Sequence, residues 1–66
     1  MANFLEVRRF LAEHWRVLDY HYLKQLPPHR IAQLTEQKPW KVKAIVREAW
    51  HMGITWADVA DYMKSI

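Results

Sequence analysis

Five cations gather in the middle of this 66-residue chain: Arg30, Lys38, Lys41, Lys43 and Arg47. Against them, positions 27–53 hold only two acidic residues, Glu36 and Glu48, and the flanking stretches nearly balance. This segment therefore carries the whole formal surplus of +3. A focused positive patch draws a polyanion more strongly than charge spread over a surface. A helix face that merely meets solvent has the same composition, so charge alone does not separate the two.

Other chemistry is thinly represented. Of the four histidines (14, 21, 29 and 51), His14 and His21 are seven apart and could share a helix face. No carboxylate or third histidine stands at a spacing that closes a metal site around them, so surface histidines and no metal or cofactor are expected. With no cysteine there is no disulfide, thiolate zinc site or thiol nucleophile. Ser65 lies near the end of the chain, and neither a glycine-rich phosphate loop nor a pocketed pair of carboxylates is present. No catalytic residues, and no enzyme, are expected.

The segments that carry the cations and their neighbours read as an all-α, four-helix domain containing a helix-turn-helix-like pair, or five-helix if the first helix is broken. From Asn3, an N-cap, the residues Phe4, Val7, Leu11, Trp15, Leu18, Tyr22 and Leu26 recur at steps of three and four. The pattern predicts a long helix over 3–25, continuous or bent near His14 or Tyr20, and ended by Pro27-Pro28. Pro28 suits the first turn of a short second helix whose inward side is Ile31, Ala32 and Leu34. Pro39 opens a third with Val42, Ile45, Val46 and Ala49 on one face, stopped near position 52 by Gly53 with Ile54 folding back. Thr55 and Asp58 form a capping-box start for a fourth helix over 56–64, with Trp56, Val59, Ala60 and Met63 inward. The length allows a single domain. No run approaches the ~20 apolar residues of a membrane span and no signal peptide is recognisable, so a cytoplasmic protein, bacterial or viral, is the expectation.

The order over 28–52, a short helix, a tight turn and a longer basic helix, carries a resemblance. The run Ile31-Ala32-Gln33-Leu34-Thr35, then Pro39-Trp40-Lys41-Val42-Lys43-Ala44-Ile45-Val46-Arg47, resembles the helix-turn-helix of bacterial and phage regulators and of some transposases and recombinases. An Ile-Ala pair inside the first helix, a proline opening the second, and a valine ten residues after the alanine (Ala32 and Val42) are the matching features. The resemblance spans about 20 of 66 residues. It departs in the turn, where the family has a left-handed glycine and this chain has Glu36-Gln37-Lys38; a non-glycine residue holds that conformation at ~1 kcal/mol.

The resemblance implies that helix 39–52 enters the major groove of double-stranded DNA. Trp40, Lys41, Lys43, Ala44 and Arg47 would then face outward, the lysines toward phosphates or guanine edges and Arg47 toward guanine bidentately. Lys38 and Arg30 would hold the backbone, supplying affinity and register. Trp40 either closes the junction of helices two and three or stands exposed as an anchor; the tendency of tryptophan to be buried favours the junction. Trp15, Trp50 and Trp56 lie on or beside apolar stripes and are expected in the core.

Two functions compete. The first is a small DNA-binding transcriptional regulator of phage, plasmid or bacterial kind, able to pair as a homodimer through Phe4, Phe10, Trp15 and Tyr22. The second is a protein-binding inhibitor or adaptor that meets a host protein through the aromatic surface of helices one and four, beside an acidic edge at Asp58 and Asp61.

Overall fold

A computed structural model describes residues 3–65. The side chain of Asn3 accepts the Glu6 backbone N–H at 2.9 Å and starts α1, Phe4–Leu18. This helix is not straight, because His14 departs from helical geometry at φ −126°, ψ 21°. Beyond Leu18 the chain widens into a π-helical turn, Asp19–Leu23, in which the Lys24 N–H bonds back to the Asp19 carbonyl at 3.0 Å. The two side chains stack over the same turn, with Lys24 Nζ 3.3 Å from the Asp19 carboxylate. Gln25 then takes φ +56° and the Leu26 N–H closes on the Tyr20 carbonyl, ending the turn before Pro27. The expected long helix over 3–25 is thus broken at both of the places the stripe left open. A wider turn and a kink each shift the phase by less than one residue per turn, which a three-four pattern absorbs.

The remaining helices begin and end on local signals. Pro28 is the first residue of α2, Pro28–Thr35, and Pro39 the first of α3, Pro39–His51. Between them Glu36 adopts φ +56°, ψ 41°, and the Gln37 N–H returns to the Ala32 carbonyl at 2.9 Å. That is the stop glycine usually makes, made here by glutamate. The α3 stop is glycine's own: Gly53 sits at φ +76°, and the Ile54 N–H bonds the Ala49 carbonyl at 3.0 Å. Thr55 and Asp58 cap α4, Trp56–Lys64, reciprocally, as the sequence pattern expects. The architecture is all-α, with four α-helices and no strand among the described residues.

α1 is the hub, packing on α2, α3 and α4, while α2 packs on α3. The buried core is Leu11, Val17, Leu18, Ile31, Ala32, Val42, Ile45, Val46, Ala49, Ile54 and Val59, with no aromatic side chain among them. Ala32 and Ala49 are small enough to let helix backbones approach, and the thin interior is filled by aliphatic side chains. Partly buried rings pack round it: Phe10, Tyr20, Tyr22 and Tyr62. The Tyr22 hydroxyl donates to the Ile54 carbonyl at 2.9 Å, fastening the π turn to the α3–α4 junction. Arg16 reaches the Leu34 carbonyl at 3.4 Å from α1.

Several expected core positions are outside. Trp40 is 69% exposed, and Trp50 and Trp56 are 64% exposed each, so none closes a junction or enters the core; Trp15 is half-buried. Phe4 and Leu34 are exposed too, leaving Ile31 and Ala32 as the inward side of α2. The reason is common to all of them. A stripe names one side of a helix, but only the width of the facing helix decides how many positions beside it are covered, and these helices are short.

Candidate functional site

The buried face of α3 (Val42, Ile45, Val46, Ala49) fixes what its other sides present. At about 100° per residue, Trp40, Ala44, Arg47 and His51 point away from that face. Lys43 and Trp50 lie on one flank, and Lys41 and Glu48 on the other. All eight are exposed. Trp40, Lys43, Arg47 and Trp50 follow one another at steps of three and four, so two cations stand between two indoles along one exposed ridge.

Lys43, Arg47 and Trp50 also line one hollow, together with Val46, Pro28 at the start of α2 and His21 of the π turn. No acidic side chain lines it. The sequence-derived candidates therefore divide. Lys43 and Arg47 are brought together beside Trp50, with Trp40 and Ala44 in line on the same helix. Lys41 faces the other way, close enough to α1 that its charge lowers the pKa of His14. Lys38 sits at the N-cap of α3, its carbonyl accepting the N–H groups of Lys41 and Val42. Arg30, on α2, donates to Gln33 Oε1 at 3.4 Å and does not line the hollow.

Three residues of the site escaped the sequence reading. Trp50, expected in the core, lies exposed seven positions after Lys43, on that lysine's side of the helix. His21 and Pro28 reach the site only through the packing of the π turn and α2 against α3. The His21 ring is 4.9 Å from Tyr22, edge-on, and 6.2 Å from Trp50. Burial lowers its pKa below the ordinary imidazole value, which favours the neutral ring at pH 7. Burial likewise raises the Tyr22 phenol, with Trp50 acting in the opposite sense.

A second surface lies between α1 and α4. Phe4, Val7, Leu11 and Tyr62 line its apolar part, with Arg8, Asp58 and Asp61 around them. The Arg8 guanidinium stands 5.5 Å over the Tyr62 ring, a cation–π contact across the two helices. Phe4 in its wall is exposed, whereas Phe10, Trp15 and Tyr22 are half-buried. Asp58 is held by the Thr55 N–H at 2.8 Å.

Among the described residues no group of three or more metal-binding side chains converges, and no helix is long and apolar enough to cross a membrane. Compared with models of protein families, with curated proteins and with solved structures, the chain matches none.

Proposed function

We propose that the chain binds double-stranded DNA through the exposed ridge of α3, as a small transcriptional regulator of phage, plasmid or bacterial kind. The observation that carries this reading is the placing of Lys43 and Arg47 together, free of acidic neighbours in their hollow, on the helix that follows a tight turn. Phosphates take Lys43 as a point charge, and Arg47 offers the planar fork that matches guanine O6 and N7. Lys41, Lys38 and Arg30, away from that hollow, suit flanking backbone contacts that set register. Ala44 leaves room for close approach to a base edge, and Trp40 packs against sugar or a thymine methyl. The left-handed Glu36 supplies the backbone turn that the resembling family takes from glycine, ten residues of spacing from Ala32 to Val42 included.

The test is an anisotropy titration of mixed-sequence duplex DNA at roughly 50 and 200 mM salt, with a Lys41→Ala/Lys43→Ala/Arg47→Ala protein alongside. Each phosphate contact should weaken binding about 3.5-fold over that salt step. The triple variant should lose most of the affinity and of the salt dependence while keeping its helical circular dichroism, since all three side chains are exposed. No duplex binding at the lower salt would remove this reading.

One observation favours a second reading, a protein-binding inhibitor or adaptor. The α1–α4 surface leaves Phe4 exposed beside Arg8, Asp58 and Asp61, the aromatic-and-charge mixture that protein interfaces use. On that reading Phe4→Ala abolishes partner binding and the triple variant does not.

A further inference from the structure

The aromatic surface does not stop at Trp50. His21 forms a wall of two open hollows at once. The first is that of Pro28, Lys43, Val46, Arg47 and Trp50, and the second is lined by Tyr22, Leu23, Gln25 and Trp56. Trp50 and Trp56 therefore line adjoining hollows that share His21, and Lys43 and Arg47 line the hollow of Trp50. Both indoles are mostly exposed, and neither hollow is lined by a carboxylate. Asp58, whose charge Tyr22 feels, is occupied by the N–H and hydroxyl of Thr55.

Intact duplex gives such rings little to bind. Its base faces are stacked on one another, and it offers phosphates, sugars and groove edges, which suit Lys43 and Arg47. Planar rings gain most when another planar group lies flat on them, and every unpaired base has such a face. Cations beside exposed indoles are the arrangement that follows a single strand, the charges tracking its phosphates and the rings taking its bases.

Resting on the duplex-binding reading, we propose that the two hollows joined at His21, with Trp50 in one and Trp56 in the other, are a stacking subsite for unpaired bases of a strand that continues beyond a duplex held at Lys43 and Arg47. The preferred ligand is then a duplex with a single-stranded overhang. Lys43 and Arg47 line the duplex side of the subsite and no cation lines the hollow of Trp56, where the nearest lysine in sequence, Lys24, is paired with Asp19, so the increment should come from bases rather than from added phosphates.

Three labelled DNAs of one core sequence test this by anisotropy on the full chain: a blunt duplex, the duplex with a short mixed-sequence overhang, and the duplex with an abasic overhang of equal length. One stacked base should tighten binding by about tenfold. The base-bearing overhang should show that gain, the abasic one should not, and Trp56→Ala should bring the ratio of overhang to blunt affinity close to one. Equal gains from both overhangs, or none from either, would overturn the subsite while leaving duplex binding in place. Binding to none of the three would overturn the duplex-binding reading together with it. The abasic comparison uses the unaltered protein, so it decides the matter even where Trp56→Ala perturbs the start of α4.

Discussion

Glu36→Gly should make the protein more stable, and the size of the gain follows from one backbone angle. Among the described residues three hold positive φ: Gln25 and Glu36 at +56° and Gly53 at +76°. A side chain in that region brings Cβ against the following carbonyl at a cost of about 1 kcal/mol, which glycine avoids. Glu36 is exposed and ends α2, so glycine there relieves the strain without emptying the core. For a chain of this size about 1 kcal/mol corresponds to a rise in Tm of roughly 4–8 °C. Gly53→Ala is the mirror experiment. A Cβ at Gly53 would meet nothing within 4 Å, so any loss must come from the backbone and not from a clash. It should lower Tm by a similar amount. The assay is thermal unfolding followed by far-ultraviolet circular dichroism for Glu36→Gly, Gly53→Ala and the pair. Additive shifts of opposite sign are expected, since the two turns lie at opposite ends of α3. A Glu36→Gly protein that melts at or below the parent temperature would refute the argument, and with it the left-handed turn that sets the approach of α3.

Val42→Ala should cost about 1–4 kcal/mol, because Val42 is completely buried against a thin core. Chemical denaturation measures it, and an unchanged midpoint would mean α3 packs by some other face. Acid should weaken the fold from pH ~6.5 downward, the ordinary value for imidazole. Burial depresses the folded-state pKa of His21 and also of His14, where Lys41 adds to the effect and Glu13 opposes it. The unfolded chain therefore takes up the proton first, and the stability present above pH ~6.5 is lost as pH falls through the folded values. A His14→Gln/His21→Gln protein should show a flatter profile between pH 7 and 5, and an unaltered slope would contradict the assignment.

Much of the fold was legible because its signals are local. Pro28, Pro39, Gly53 with Ile54, and Thr55 with Asp58 each act through one or two neighbouring backbone groups, and each ends or starts a helix where the residue type demands. The π turn and the kink at His14 were not legible to that level, since a ring such as Tyr22 meets its partner, the Ile54 carbonyl, across 32 residues. Glu36 shows the same limit from another side: the turn has the shape glycine would give it, but nothing in a glutamate announces that shape. As for the site, the spacing of Trp40, Lys43 and Arg47 is a property of one helix and can be read along it. Their junction with His21 and Pro28 is a property of three elements packed together. The tryptophans misled for a physical reason, because large apolar side chains are mostly buried on average. Here aliphatic residues and two alanines fill the interior, and the indoles are left outside.

That arrangement of indoles has a spectroscopic consequence. Three of the four tryptophans already sit largely in water, and the fourth, Trp15, is only half-buried. The intrinsic emission of the folded chain should therefore resemble that of free indole, and denaturant should shift its colour only slightly. Light that is nearly blind to unfolding would be sensitive to whatever settles on the ridge. In this molecule the emission reports on company rather than on integrity, and a folding study that relied on it would register the wrong event.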